Sequence, residues 1–181
     1  MRWFGPGSYW ENAEAVLRAR WYLRNANYVG ARVRVWGQPK IQNAGTIRIG
    51  NRTKLISHTA PLDLAVSSGA TLDIGERVFI NYGCSLGATQ LISIGPRCAI
   101  GSHAIIIDND FHTVDPEKRY EVPPSAPIIL EENVWLGARV IVLRGVTIGA
   151  HSVIGAGSVV TRNIPPRSVA VGLPARVVKS I

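Results

Sequence analysis

An aliphatic residue recurs at every sixth position through much of this chain. The longest row is Leu130, Leu136, Val142, Ile148, Ile154 and Val160. Two shorter rows with the same spacing precede it: Ile74, Ile80 and Leu86, then Ile94, Ile100 and Ile106. A spacing of six matches neither the 3.6-residue period of an α-helix nor the heptad of a coiled coil. It predicts short strands joined by regular corners, each strand pointing one aliphatic side chain inward.

Stacking such turns would bury a continuous apolar column that no single repeat could bury alone. The spacing therefore predicts an all-β fold, a parallel β-helix of hexapeptide repeats, over residues 41–163. Residues 164–181 follow as a C-terminal tail. The corners should need small or conformationally free residues, and glycine follows the row at Gly137, Gly149 and Gly155.

The column is interrupted by a polar, proline-rich segment between Ile106 and Leu130. The positions that would continue the row, 112, 118 and 124, hold His, Lys and Pro. We expect this segment, residues 107–129, to leave the β-helix as an extruded loop. Long loops on rigid scaffolds often carry function, which makes His112 a candidate catalytic residue. The alternative is a histidine that is merely solvated.

The net charge of +8 is concentrated towards the N-terminus, where residues 1–40 hold seven bases and two acids. This balance indicates an anionic partner or a solvated basic face, and it comes without a nucleic-acid-binding motif. Residues 11–26 predict one helix, with acids early and bases late. Residues 1–40 are expected to form a cap on the open end of the β-helix. The alternative is contact with a membrane surface, because tryptophans and arginines are mixed there.

No apolar run is long enough for a signal peptide or a membrane span. Cys84 and Cys98 lie in apolar, strand-like surroundings, so we expect small core residues and no disulfide. The expected location is the cytoplasm, with the inner face of the membrane as the alternative. His58, His103 and His151 are predicted to be surface or corner residues. The histidine spacing does not suit a zinc site, and no metal is predicted.

Three motifs in order give the chain a family resemblance. They are "DNDFH" in the loop, "NVWLG" where the β-helix resumes, and the ending "VTIGAHSVIGAGSVVTRNIPPRSVAVGLPARVVK". In these the chain resembles the left-handed β-helix acyltransferases. It is most similar to the maltose and galactoside O-acetyltransferases and to sugar O-acetyltransferases of surface-polysaccharide synthesis. The resemblance covers roughly residues 45–181 and is most specific from Asn133 onward.

The resemblance implies left-handed coils, a homotrimer with active sites between subunits, acetyl-CoA as donor and a sugar hydroxyl as acceptor. It makes His112 the general base and places Asn81 beside the acceptor, and Asp110 is a further candidate for acceptor binding. Asp108 and Asp110 are also candidates for orienting His112. The positions that the resemblance assigns to acetyl-CoA are Trp135, Ala138, Ala156, Thr161, Arg162 and Lys179.

The chain also departs from the family at the acceptor. Galactoside-type members carry an acid where this chain has Thr89, so a simple galactoside or maltose acceptor is not expected. Two alternatives stay open at this point. One is acetylation of a xenobiotic or an amino sugar with the same base, and the other is a non-catalytic β-helix assembly subunit.

Overall fold

The computed structural model describes residues 9–181, and their side chains from residue 12 onward. A helix, α1 (Tyr9–Tyr22), comes first. The chain then winds about seven times around an apolar core, and each turn adds one strand to each of three parallel sheets. We call these sheets faces A, B and C, in the order in which each turn visits them. The predicted all-β parallel β-helix is confirmed.

The strands of each face follow the turns in order. Face A contains β1 (Tyr28–Val29), β4 (Thr46–Ile49), β7 (Thr71–Ile74), β10 (Leu91–Ile94), β13 (Ile128–Leu130) and β16 (Thr147–Ile148). Face B contains β2 (Arg34–Gly37), β5 (Lys54–Ser57), β8 (Phe79–Ile80), β11 (Ala99–Ile100), β14 (Trp135–Leu136), β17 (Val153–Ile154) and β19 (Ser168–Gly172), and ends with an antiparallel strand, β20 (Ala175–Ser180). Face C contains β3 (Lys40–Asn43), β6 (Asp63–Val66), β9 (Ser85–Ala88), β12 (Ile105–Ile107), β15 (Ile141–Val142) and β18 (Val159–Val160).

The predicted apolar column forms the core of this β-helix. Every residue of the three rows with six-residue spacing is buried, and none is more than 1% exposed. Strand register stacks equivalent positions: Ile74 pairs with Ile94, and Ile94 pairs with Leu130. Burial of one such side chain contributes roughly 1.5–3 kcal/mol. The column therefore supplies much of the stability of the fold.

The corner between faces A and B differs from the expectation of small or conformationally free residues. Arg52, Arg77 and Arg97 occupy it in successive turns, all in the left-handed region with φ near 60° (60°, 56° and 61°). Each arginine N–H donates to a carbonyl of the same corner one turn earlier, at 2.8, 2.8 and 2.9 Å. This hydrogen-bond ladder compensates for a conformation that non-glycine residues rarely adopt. The result is a line of arginines along one corner.

The β-helix begins at Tyr28, earlier than the boundary at residue 41 that we placed from the sequence. Helix α1 ends at Tyr22, not at residue 26, and packs against β2 of the first turn. Its Ala19 and the following Leu23 are buried in the apolar core, which favours a cap over a free surface segment. The first residues of the predicted cap, 1–8, lie outside the described part. Among residues 9–181, no helix is long and apolar enough to cross a membrane.

Both cysteines are free and buried, as predicted for small core residues. Burial raises the pKa of the Cys84 and Cys98 thiols from 9.0 to about 11. Their sulfurs also contact backbone carbonyls, at 3.1 Å for Gly101 and 3.0 Å for Glu131. In the folded protein the nucleophilic thiolate is therefore scarce at neutral pH.

We expect both thiols to resist a thiol reagent at pH 8 and to react fully in denaturant, as measured by absorbance. Burial of the neutral thiols also links stability to pH, because their folded pKa is raised. Their contribution to the free energy of unfolding is complete below pH 9 and is lost as the pH rises towards 11. Rapid labelling of the native protein at pH 8 would contradict the burial of these thiols.

Candidate active site

The extruded loop leaves the β-helix at the corner between faces C and A. It runs over residues 108–127, between the end of β12 and the start of β13. A short 3-10 helix, Pro116–Lys118, lies within it, and the Asp115 carboxylate caps this helix by accepting from the Glu117 N–H at 3.0 Å. Most side chains of the loop, including His112, are exposed. The predicted extruded loop is therefore present.

Asp108 holds the base of the loop. Its side chain is fully buried, and one carboxylate oxygen accepts from the Thr89 N–H and hydroxyl, both at 2.7 Å. The other oxygen accepts from the backbone N–H groups of Gln90 and Leu91, at 2.8 and 2.7 Å. Asp108 therefore anchors the loop to the connection between β9 and β10. The hypothesis that it orients His112 is wrong, because both carboxylate oxygens accept hydrogen bonds from Thr89, Gln90 and Leu91.

The two ends of the loop are tied together by polar side chains. The Asn109 amide donates to the Pro123 carbonyl at 3.1 Å and to the Ser125 hydroxyl at 2.9 Å. That hydroxyl also lies 2.6 Å from the hydroxyl of Thr89. Thr89 thus belongs to the anchor of the loop, where galactoside-type relatives are expected to have an acid.

The His112 imidazole is oriented by a main-chain carbonyl. Its Nδ1 lies 2.9 Å from the carbonyl oxygen of Arg119, on the far arm of the same loop. Because a carbonyl only accepts, Nδ1 carries the proton, and Nε2 keeps a free lone pair. The Tyr120 ring stands edge-on to the imidazole, with the ring centroids 6.3 Å apart. This is the arrangement that a general base requires.

Asp110 does not orient His112 through its side chain. Its carboxylate forms an ion pair with Arg144, which also donates to the Pro124 carbonyl at 3.3 Å. Only the Asp110 backbone contacts the histidine, by accepting from the His112 N–H at 2.7 Å. The hypothesis that the Asp110 carboxylate orients the base is therefore wrong, while its predicted contact with an acceptor stays a prediction.

Trp135 lies on face B in an outward row that runs along the whole β-helix. Its side chain is 56% exposed. Strand register defines this row as Arg34, Lys54, Phe79, Ala99, Trp135, Val153, Val169 and Lys179. The middle of the row is apolar, whereas both ends carry cations. Trp135 and Lys179, predicted separately, thus share one surface.

Three further predicted residues lie on the corner between faces B and C. Ala138 and Ala156 occupy equivalent positions in successive turns, and the Ala138 carbonyl accepts from Gly157 N–H at 2.9 Å. Asn81 opens the same corner two turns earlier, where its side-chain oxygen accepts from the Tyr82 N–H at 2.9 Å. Among the residues that the structure describes, none accepts a hydrogen bond from the Asn81 amide nitrogen. This corner thus adjoins the row that carries Trp135.

One chain does not bring all the predicted residues together. Four of the predicted residues, Asp110, His112, Thr161 and Arg162, lie at the corner between faces C and A, which face B does not adjoin. The other predicted residues lie on face B or on its corner with face C. The two groups of predicted residues therefore do not share one face of a single chain.

Known proteins share the repeats and the fold of this chain. Residues 127–162 match the bacterial transferase hexapeptide family, described by six repeats. The galactoside O-acetyltransferase of Escherichia coli is 38% identical over 116 residues, which cover 64% of this chain and 57% of that protein. That of Lactococcus lactis is 40% identical over 114 residues, covering 62% and 55%. The chain thus spans little more than half the length of the curated relatives it matches.

Two solved structures are similar over most of the chain. A hexapeptide-repeat acetyltransferase from Vibrio cholerae, complexed with acetyl coenzyme A, has a TM-score of 0.67 at 28% identity and covers 93% of this chain and 76% of its own. A maltose O-acetyltransferase from Clostridium difficile has a TM-score of 0.56 at 27% identity and covers 98% and 79%. Residues 127–162 thus match transferase hexapeptide repeats, and the chain resembles these acetyltransferases.

The sequence of this hexapeptide-repeat protein could not reveal the group that orients His112, because a main-chain carbonyl has no side-chain signature. For Asp108 the sequence was misleading in the opposite way. An aspartate beside the candidate base suggested a chemical role, whereas its contacts show that it anchors the loop. Across residues 9–181, no group of three histidine, cysteine or acidic side chains is arranged to hold a metal ion.

Proposed function

We propose that this protein is an acetyl-CoA-dependent O-acetyltransferase that acts on a hydroxyl of a sugar or saccharide intermediate. The observation that carries the proposal is the orientation of His112. Its Nδ1–H is held by the Arg119 carbonyl at 2.9 Å, which leaves Nε2 as a base on an exposed loop. We place the protein in the cytoplasm, in keeping with its two unpaired buried thiols. Contact of residues 1–40 with a membrane surface is the alternative to a cap.

The base accounts for the difficult step of the reaction. His112 Nε2 accepts the proton of the acceptor hydroxyl while the hydroxyl oxygen forms its bond to the thioester carbonyl carbon. The Arg119 carbonyl stabilises the imidazolium that results, since it accepts from the Nδ1–H. The carbon–sulfur bond then breaks, and the proton passes from His112 to the sulfur. The products are an acetyl ester and a free thiol.

The residues around Trp135 fit an acetyl-CoA donor. The exposed indole and the neighbouring Ala99 and Val153 form an apolar surface for a pantetheine arm. Ala138 and Ala156 leave room beside it, because their side chains are small. Lys179 ends the row with a cation for a phosphate. The donor supplies an activated acetyl group when it is bound.

The proposal is tested by following thiol release from acetyl-CoA in the presence of candidate acceptors. The panel should contain neutral oligosaccharides, nucleotide-linked sugars, other phosphorylated sugars and amino sugars. We expect turnover with at least one hydroxyl acceptor and an ester-linked acetyl group in the product by mass spectrometry. Binding of acetyl-CoA without turnover on any acceptor would contradict an enzyme and favour the assembly subunit.

The cations assigned to the donor should affect binding more than chemistry. Replacing Arg162 and Lys179 by alanine is expected to raise the KM for acetyl-CoA about tenfold with little change in kcat. The reason is that contacts to remote phosphates act equally in the ground and transition states. Steady-state kinetics at saturating acceptor measures this. A fall in kcat at unchanged KM would contradict their assignment.

The resemblance implies a homotrimer, and the separation of His112 from face B predicts that its sites are shared between chains. His112→Ala and Trp135→Ala should each be inactive alone, yet unfolding and refolding the two together should restore activity at about a quarter of the sites. Each restored site takes its histidine from one chain and its tryptophan from the other. Light scattering should give three chains per particle. A monomer, or mixtures without regained activity, would contradict the shared site.

A further inference from the structure

A basic cavity of about 490 Å³ lies over the first three turns of the β-helix. Its lining is Arg32, Arg34, Arg52, Lys54, Arg77 and Phe79. We call it the arginine cavity. Neither the proposed base nor the proposed donor positions lie in it.

Two features of the fold build the arginine cavity. Arg34, Lys54 and Phe79 are register partners in the outward row of face B. Arg32, Arg52 and Arg77 are equivalent residues of the neighbouring corner, all with φ between 56° and 60°. Adjacent strands of a sheet lie about 4.8 Å apart, so the backbone positions that carry these cations stack at that spacing in two parallel lines. The hydrogen-bond ladder of the corner prevents the backbone from moving the charges apart.

Within the described part of the chain, no acidic side chain pairs with the cations of the arginine cavity. Among the residues the structure describes there are three ion pairs, and none involves a residue of this cavity. No acid contributes to its lining. The Arg34 Nε is buried and has no hydrogen-bond partner. Unpaired like charges held close together repel one another, so this arrangement favours a multivalent anion.

The position of the arginine cavity connects it with the acceptor. Phe79 lies two residues before Asn81, the predicted acceptor contact, in the same turn. Ala99 separates Phe79 from Trp135 in the outward row. A ligand in the arginine cavity therefore lies at the acceptor end of the row. Trp135 and Lys179 lie in later turns, towards the opposite end.

We propose that the arginine cavity binds a diphosphate group carried by the saccharide acceptor, while the reacting hydroxyl lies near Asn81. This inference rests on the proposed function and names its substrate class. A diphosphate matches the paired lines of cations, because each guanidinium can donate two hydrogen bonds to phosphate oxygens. The same chemistry occurs in acetyl-CoA, whose own diphosphate is the competing source.

Calorimetry with inorganic pyrophosphate as the probe tests this on the full-length protein. Arg52→Asn combined with Lys54→Gln removes two exposed cations, and asparagine tolerates the left-handed conformation of residue 52. We expect pyrophosphate affinity to fall by about a hundredfold, or about tenfold per cation. Arg48→Gln is the matched control, because Arg48 is exposed on face A outside the cavity. This control should keep the affinity of the unchanged protein.

A second titration, with the protein saturated with coenzyme A, separates the two sources of diphosphate. Undiminished pyrophosphate binding supports the acceptor, whereas displacement of pyrophosphate by coenzyme A overturns the proposal. Equal pyrophosphate affinity in the double variant and in Arg48→Gln also overturns it and leaves the proposed function standing. The double variant should also raise the KM for a diphosphate-linked saccharide and leave that for acetyl-CoA unchanged. Pyrophosphate binding without acetyl transfer to any acceptor would instead contradict the proposed function.

Discussion

His112→Ala is expected to lower kcat by about 10²-fold or more, with binding of acetyl-CoA nearly unchanged. The variant loses the one imidazole of the loop, whose Nδ1 lies 2.9 Å from the Arg119 carbonyl. Because the side chain is exposed, its removal leaves no cavity in the core, and the fold should be retained. Turnover is measured as thiol release, and donor binding by calorimetry.

Val114→Ala is the matched control, because Val114 lies in the same loop and its side chain is 95% exposed. It should keep the kcat of the unchanged protein. His112→Gln separates the base from a hydrogen-bonding role, since glutamine can donate to the Arg119 carbonyl but cannot accept a proton at neutral pH. An active His112→Ala or His112→Gln variant would rule out the mechanism.

Asp108→Ala is expected to destabilise the protein by about 3 kcal/mol or more and to disorder the loop. The side chain is fully buried and accepts four hydrogen bonds at 2.7–2.8 Å. Its loss leaves three backbone N–H groups without an acceptor, and each unsatisfied buried group costs roughly 1–3 kcal/mol. Denaturant unfolding measures the stability. Since Asp108 positions the loop, kcat should fall as well, even at temperatures where the variant stays folded.

Asp115→Ala serves as the control for a loop aspartate. Asp115 is exposed and accepts a single hydrogen bond within the loop, from the Glu117 N–H at 3.0 Å. Its loss should cost about 1 kcal/mol or less, as is usual for a helix cap. Equal destabilisation by the two substitutions would show that the buried anchor is not what holds the loop.

The apolar rows show which part of the fold could be predicted from the sequence. A parallel β-helix repeats one local pattern, so the six-residue spacing of Ile94, Ile100 and Ile106 contains the architecture directly. The first turn was missed although Val29, Val35, Ile41 and Ile47 keep the same spacing. The next row of core residues starts at Ile49, two residues after Ile47. This shift in spacing hid the fact that the first turn belongs to the same β-helix.

The candidate site could be predicted only residue by residue. The motifs "DNDFH" and "NVWLG" pointed to His112 and Trp135, but they do not indicate which residues contact each other in the folded protein. Tertiary structure decided that Asp108 is an anchor, that Asp110 pairs with Arg144, and that a carbonyl orients the base. These contacts join residues that are distant in the chain or involve main-chain atoms, so no local pattern records them.

The sequence by itself determined the repeat, the buried column and the position of the extruded loop. Each of these depends on spacing along the chain, and spacing is what a repetitive fold converts into structure. Only the tertiary structure placed His112 and Trp135 on parts of the β-helix that do not adjoin, and stacked Arg32, Arg52 and Arg77 into one cavity. The physical reason is the winding of the chain, which makes neighbours of residues 20 or more positions apart in the sequence. Which charged or reactive side chains become neighbours therefore depends on the length of every intervening turn.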